Sequence, residues 1–386
     1  MTIVDTIVYE KKNQVVRLAG LANGVLQTLE IADLSKAAEG NVYLGRITKK
    51  IELANGKIGY FVNIGDDREA FINAEEYDRD ELNANEGQEV VAQVVQEQRA
   101  EKGAKLVRSL QFVGQNLVYC PYRMNIEASA KISDKLKADD LKKFVRENTT
   151  GQEGWIIRTS AADAELNDIK AEMEILREKF DEVRQKAKTA KAPALLLERS
   201  CIISDTINRY KNTLTKIVVN DHNIENALKD DFAVEFAANP FVELGLEDMI
   251  INALQKEVRL KNGGRIIIEE TRACTAIDVD SGEDDGAGSL GRLNNEAAEE
   301  IAHQIILRNL SGKIVIDFAG ASEYRYLKNT IEILETKLRN DTVRTFVYGL
   351  SHAGLVEIVR SRRRPSLLDI YSVECPTCKG SGRVEK

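Results

Sequence analysis

The sequence predicts a multidomain α/β protein with a small β-barrel near its N-terminal end. Three observations lead there. Short strand patterns and Asn-Gly turns fill the first part of the chain, to about Gln111. A long amphipathic segment follows between Ser160 and Lys191. Beyond Lys216, strand and helix patterns alternate, which is the signature of an α/β domain. At 386 residues and 43% hydrophobic content, the chain can bury a sizeable core and hold several domains.

The elements follow in order. Val15-Val16-Arg17-Leu18 and Val25-Leu26-Gln27-Thr28-Leu29 flank Asn23-Gly24, a pair that takes the positive φ angles of a tight hairpin. Val42 to Ile47, a second Asn-Gly pair at Asn55-Gly56, Ile58 to Val62, Glu69 to Ile72 and Glu89 to Val95 read as closely spaced strands of a barrel. Leu166, Ile169, Met173, Leu176, Phe180 and Val183 recur at spacings of three and four. They make one apolar stripe on a helix that packs on its own domain, with a coiled-coil partner contact as the minor alternative, and Pro193 stops it. Ile217 to Val219, Arg265 to Ile268 and Ala276-Ile277 read as strands. Asn294 to Leu307 reads as a helix, Lys313 to Asp317 as a strand, Ser322 to Leu338 as a helix and Val343 to Val347 as a strand.

Charge narrows the partners. With 54 basic and 62 acidic side chains, net −8, any nucleic-acid site must be a local patch. Charged residues at Asp5, Glu10, Lys11 and Lys12 interrupt the N-terminal apolar runs, so no secretory leader is expected. No stretch approaches the roughly 20 apolar residues of a membrane span. Five cysteines, at 120, 201, 274, 375 and 378, are too few and too odd for a disulfide framework, and a cytoplasmic location is expected.

Two acidic positions stand out. Asp278 and Asp280 lie in Ile277-Asp278-Val279-Asp280, and Asp317 ends Ile314-Val315-Ile316-Asp317. Ligands collect at the carboxyl ends of strands in α/β sheets. Carboxylates brought together there repel unless a hard cation such as Mg²⁺ neutralises them. Asp278 and Asp280, two apart, share a face if both are in a strand. The bland alternative is that these acids cap helices or solvate loops.

Cys375-Pro376-Thr377-Cys378-Lys379-Gly380 is half a zinc knuckle. A structural Zn²⁺ takes four ligands, so two chains giving two Cys each is the economical arrangement. An idle thiol pair or a redox Cys-x-x-Cys remains the alternative. Phe61 and Phe71, with Lys102, form either a stacking platform for single-stranded bases or plain barrel core. Arg158-Thr159 offers a guanidinium and a hydroxyl to phosphate. Arg362-Arg363-Arg364 is either an RNA track or solvated surface.

These residues carry a family resemblance. Thr275-Ala276-Ile277-Asp278, Asn294 to Ala302, Val315-Ile316-Asp317-Phe318, Gly354-Leu355-Val356-Glu357 and Glu374 to Cys378 occur in the order and spacing of bacterial ribonuclease E/G, which the chain resembles along nearly all its length. The resemblance implies a ribonuclease-H-like scaffold in two parts (1–36 and 213–273). It also implies an inserted OB-fold domain of the S1 type (37–110), a 5′-sensor segment (111–212), a DNase I-like metal domain (274–372) and a zinc link (373–386). It implies that Asp278 and Asp317 bind Mg²⁺ and that Asp280 stands where well-known members carry Asn. It further implies that Phe61, Phe71 and Lys102 hold RNA, that Gly114, Val118, Arg158 and Thr159 read a 5′-monophosphate, and that Cys375 and Cys378 share zinc across a homodimer. The sequence also departs from the family pattern. The loop between Asp280 and Asn294 is short, Gly320 and Arg272 replace acids, Ala130 replaces a base, and no small C-terminal domain is expected after the knuckle.

The expected activity is endonucleolytic hydrolysis of single-stranded RNA by Mg-activated water, leaving 5′-phosphate products and favouring 5′-monophosphorylated RNA, in RNA processing or decay. A catalytically impaired RNA-binding member of the same family is the first rival, and a thiol oxidoreductase using Cys375 and Cys378 the second.

Overall fold

The computed structural model describes residues 3–384 other than 55, 77–79, 100–101, 200–201, 262, 283–288, 321–323, 340 and 381. Strands Thr6–Lys12 (β1), Val15–Ala22 (β2) and Val25–Asp33 (β3) form an antiparallel meander. The β2–β3 turn is Asn23-Gly24, with φ values of 49° and 77°. Two consecutive positive values give the turn whose twist matches the flanking strands. Asn55, of the second Asn-Gly pair, lies outside the described residues; Gly56 has φ +76°.

Val42–Glu52 (β4), Ile58–Asn63 (β5), Ala70–Asn73 (β6), Glu89–Gln96 (β7) and Lys105–Val107 (β8) pair in the order β4-β5-β6-β8-β7, and β7 returns to β4. The ring is therefore closed, which leaves no unpaired edge within it. Tyr60, Val62, Ala70, Ile72, Val94 and Leu106 fill its interior. This is the expected OB-like barrel.

A four-stranded sheet follows, built from Phe112–Val113 (β9), Leu117–Cys120 (β10), Ile126–Ala128 (β11) and Gly154–Ile157 (β12) in the order β11-β12-β10-β9. Helices Lys135–Glu147 (α1) and Leu166–Thr189 (α2) accompany it, then strand Ala194–Leu197 (β13) and helix Ile202–Tyr210 (α3). The long helix occupies Leu166–Thr189 of the expected 160–191 segment, because Thr159–Asp163 form a 3-10 turn first. Ile169, Met173, Leu176 and Val183 are its buried stripe, packed with Trp155, Leu117 and Tyr119 of the sheet. Phe180 is only partly buried, and Leu166 is exposed.

Beyond it come Lys216–Val219 (β14), His222–Leu228 (α4), Val234–Phe236 (β15), Pro240–Glu243 (α5) and Leu246–Ala253 (α6). β1 pairs in parallel with β14, giving a five-stranded sheet β15-β14-β1-β2-β3. Then follow Glu257–Arg259 (β16), Arg265–Glu270 (β17), Thr275–Asp280 (β18), Ser289–Leu307 (α7), Gly312–Asp317 (β19), Tyr324–Leu338 (α8), Thr345–Leu350 (β20), Val356–Arg360 (β21) and Leu367–Tyr371 (α9). Helix α7 begins five residues before the expected Asn294, and β20 is displaced from the expected 343–347 toward its C-terminal side. Residues 321–323, expected at the start of α8, lie outside the described residues.

The six-stranded sheet β16-β17-β18-β19-β21-β20 has two unlike faces. Ile266, Ile268, Ile277, Val279, Ile314, Ile316 and Ile358 point to one face and pack on Ala297, Ala298, Ile301 and Ile305 of α7 and on Leu327, Ile331 and Leu334 of α8. Each such side chain contributes roughly 1.5–3 kcal/mol on full burial. The alternate residues face away from the helices. Contacts divide the chain into two compact units, 1–33 with 209–386, and 34–208. Among the described residues no helix is long and apolar enough to cross a membrane.

Candidate functional site

Strands β18 and β19 run parallel, and their register pairs Asp278 directly with Asp317. Paired residues point to the same face, and adjacent strands lie about 4.8 Å apart. Ile277 and Ile316, one residue earlier, are buried under the helices, so both carboxylates project from the open face and are exposed. Among the described residues neither has a hydrogen bond or an ion pair. Partial burial first, then the charges of Asp317 and Asp280, push the Asp278 carboxyl above the usual range, against the pull of Arg265. Two like charges held side by side by the backbone fit a hard divalent cation, which would take one oxygen from each and keep water on its remaining positions. Among the described residues no group of three or more His, Cys, Asp or Glu converges on one point.

Asp280 shares that face, as the two-residue spacing predicts, but it is already engaged. Arg265 of β17 lies opposite it in register and donates from Nε at 2.9 Å and Nη2 at 2.6 Å to Oδ2. The Gly282 N–H donates to Oδ1 at 3.0 Å. That N–H and then Arg265 hold the Asp280 carboxyl below the usual range. The extra negative charge at this position is thus paired with Arg265 within the sheet, although it still adds to the upward push on Asp278.

The end of β19 is held by a residue the sequence reading left without a role. The amide of Asn294, buried on α7, donates to the Ala319 carbonyl at 3.0 Å and accepts from the Ala319 N–H at 3.1 Å. A side-chain amide thereby stands in for a strand partner two residues beyond Asp317. Gly320 follows with φ +62°, a conformation suited to glycine, and a Cβ there would meet Leu290 at 2.8 Å. Residues 283–288, most of the short loop, lie outside the described residues.

In the barrel, Phe61 and Phe71 are cross-strand partners on β5 and β6, their rings 5.7 Å apart and edge to face. Tyr60, Val62, Ala70 and Ile72 take the interior, so both Phe rings lie on the outer surface, half-buried, and are not core. Gly59 makes room for the Phe71 ring, which a Cβ would meet at 2.5 Å. Exposed Lys102 bridges back to Arg99. Gly103 beside it packs so tightly on Glu69 that a Cβ would sit 1.9 Å from the carbonyl oxygen, and the Phe71 N–H donates to Ala104 at 2.8 Å. Register adds two lysines that spacing could not reveal. Lys49 pairs with Phe61 and Lys105 with Phe71, and both are exposed.

At one end of the four-stranded sheet, Gly114, Arg158 and Thr159 come together. Arg158 Nη1 donates to the Gly114 carbonyl. Thr159 Oγ1 meets Ser129 Oγ at 3.2 Å. Val118 is on β10, paired with Val113 and Ile156 on the face away from the core. Gly114 leaves room for Glu172, whose Oε1 a Cβ there would meet at 2.0 Å. Glu172 accepts the N–H groups of Asn116, at 2.9 and 3.0 Å, and Leu117, at 3.2 Å, fixing the loop against α2.

Near the C-terminal end, Cys375 and Cys378 lie on a turn closed by the Lys379 N–H donating to the Cys375 carbonyl at 2.8 Å. The backbone N–H groups of Cys378 and Thr377 face the Cys375 sulfur and hold its thiol below the ordinary value. A turn that points N–H groups at a thiolate fits a zinc ligand pair. Cys120 and Cys274 are free thiols, and Cys201 lies outside the described residues. Of the basic run, Arg364 pairs with Glu30, and the Arg362 guanidinium lies against Gly312.

A model of the ribonuclease E/G family matches residues 111–363. The chain belongs to the ribonuclease E/G family. Ribonuclease G of Escherichia coli strain K12 is 30% identical over 406 aligned positions, covering 96% of this chain and 82% of that protein. Ribonuclease G of Haemophilus influenzae is likewise 30% identical, with the same coverage of 96% and 82%. Ribonuclease E of Escherichia coli strain K12 is 29% identical over 386 positions, covering 90% of this chain and 35% of that protein. In this ribonuclease E/G member, the acid pair lies on one compact unit and the barrel and Arg158 corner on the other.

Proposed function

We propose that this chain is an endoribonuclease that hydrolyses single-stranded RNA with Mg²⁺ held by Asp278 and Asp317. The observation that carries the reading is the register match of two exposed carboxylates that have no cation of their own among the described residues. When bound, the ion supplies Lewis-acid stabilisation of the phosphoryl transition state and an activated water, which leaves a 5′-phosphate on the downstream product.

The chain's own groups do the rest. Asn294 fixes the strand end that bears Asp317, and Arg265 keeps Asp280 as a balanced charge beside the pair. Phe61 and Phe71 stack bases, with Lys49, Lys102 and Lys105 on the phosphates. Arg158 and Thr159, with Gly114 and Val118, receive a 5′-monophosphate, which sets the preference for such ends. Cys375 and Cys378 of two chains share one Zn²⁺ and make a homodimer. In this reading the protein works in the cytoplasm. Its first compact unit joins ribonuclease-H-like and DNase I-like parts around the insertion, and the barrel is of the S1 type.

The deciding assay incubates the full chain with a 5′-monophosphorylated single-stranded oligonucleotide in Mg²⁺, with and without EDTA. Cleavage that EDTA stops is expected. Saturating RNA binding without any cleavage in Mg²⁺ would sink the nuclease reading and leave an RNA-binding member of the family.

A further inference from the structure

The open face of the six-stranded sheet continues past the acid pair to its edge strand, β20, and there it changes character. Phe346 and Tyr348 are 44% and 68% exposed, although a strand residue of that size ordinarily buries its ring. Their centroids are 6.3 Å apart, and the Arg344 guanidinium lies 4.7 Å from the Phe346 ring. Register places Phe346 on the acid pair's face, and the Tyr348 ring lies beside it. Phe346 pairs with Val359 of β21, and Val359 pairs with Lys313 of β19, four residues before Asp317. A register shift between Val347 and Gly349 puts the extra residue, Tyr348, in a bulge that turns it outward. Lys313 and Arg344 are exposed, and among the described residues neither has an acidic partner. Two strand spacings across and a few residues along amount to roughly 12–16 Å between the aromatic pair and Asp317.

We propose that Phe346 and Tyr348 form a base-stacking subsite for the RNA strand whose phosphate is presented to Asp278 and Asp317, with Arg344 and Lys313 on the intervening phosphates. The inference rests on the nuclease reading for its register with the cut. Its occupant is a single strand of nucleic acid because the face is continuous with the acid pair. Its exposed cations also suit phosphate, and two tilted aromatic rings beside a guanidinium accept any base. About two or three extended nucleotides would bridge the gap.

The test is fluorescence anisotropy with a labelled short single-stranded RNA, read in Mg²⁺ on an Asp317→Asn background to prevent turnover. It uses the full chain, the double variant Phe346→Ala/Tyr348→Ala, and Phe346→Leu/Tyr348→Leu, which keeps apolar bulk without a ring. Both doubles are expected to bind roughly 5- to 100-fold more weakly, and Tyr348→Phe close to the parent. An unchanged Kd for the alanine double overturns the subsite. So does a leucine double that binds like the parent, or an altered sedimentation coefficient with unchanged RNA binding, which would make the face a contact between protein copies. Cleavage of the same RNA in Mg²⁺ separates the two ideas. A parent protein that binds through these rings yet never cuts keeps the subsite and loses the nuclease. A parent that cuts, with a double variant equal to it in Kd and rate, does the reverse.

Discussion

The acid end of the six-stranded sheet and the Arg158 corner of the four-stranded sheet are electrostatic opposites. At the first, Asp278 and Asp317 stand paired by register with surplus negative charge. At the second, an exposed guanidinium is steered by the Gly114 carbonyl and a hydroxyl pair stands beside it. Each would meet a polyanion differently. The corner can take a phosphate directly, whereas the acid end must first acquire a cation. On the proposed reading, the difference teaches that RNA can be served by opposite local charges, provided that only the acid end relies on a metal.

The sharpest way to break this contrast is Asp317→Asn or Asp278→Asn. Single-turnover cleavage in Mg²⁺ is expected to fall by roughly 10³-fold or more while RNA affinity moves only a few-fold. Parent-like cutting by either variant would remove the acid pair from the chemistry. Zinc comes next. Cys375→Ser with Cys378→Ser should take metal content from about one zinc per two chains to none and shift sedimentation from dimer to monomer. Cleavage at high protein concentration should be largely retained.

On the opposite side of the comparison, Arg158→Ala is expected to lower kcat/KM for 5′-monophosphorylated RNA by roughly 10- to 100-fold. Its effect on 5′-hydroxyl RNA should be slight, so the ratio of the two substrates is the readout. Asn294→Ala leaves the Ala319 N–H and carbonyl without their partner, and a stability loss of about 1–3 kcal/mol in urea unfolding is expected. Asn294→Asp, which sets a buried carboxylate oxygen against the Ala319 carbonyl, should cost at least as much.

The smallest effect concerns pH. His303 on α7 sits between Glu300 at 3.3 Å and the Leu26 carbonyl of β3 at 2.9 Å. Burial opposes its charge, but the Glu300 hydrogen bond and charge and the Leu26 carbonyl outweigh burial and raise the imidazole pKa. A raised folded pKa stabilises fully below the unfolded value, near 6.5, and the gain disappears as pH rises through the folded value. The urea midpoint of the parent should therefore exceed that of His303→Gln by more at pH 6 than at pH 8.5. A constant difference would mean that the ring is neutral throughout.

Local patterning made much of this visible in advance. The Asn23-Gly24 hairpin, the barrel strands and the Ile-Asp alternation of β18 depend on neighbours one to four residues apart, and those are written in the sequence. What escaped depends on register between distant segments. Arg265 faces Asp280 only because β17 and β18 pair at one particular offset. Asn294 reaches a backbone 25 residues further on. Lys49 and Lys105 join the Phe platform through strand pairing, not spacing. Strands as short as Phe112–Val113 carry too few residues to show a period. The two Phe rings were ambiguous for a related reason, since inside and outside a barrel differ by one residue of phase.

The first sheet has one further consequence, in the order of manufacture. Strand β1 needs β14 as its parallel neighbour, yet the whole of 34–208 is translated between them. On the ribosome, that inserted body is complete and free to fold while the N-terminal meander still waits with a bare hydrogen-bonding margin. Val8, wholly buried in the finished protein, shares its core with Val218, Phe241 and Leu307, all of which emerge after the insert. Pausing or truncation before that point would release a folded insert tethered to a sticky, unfinished sheet.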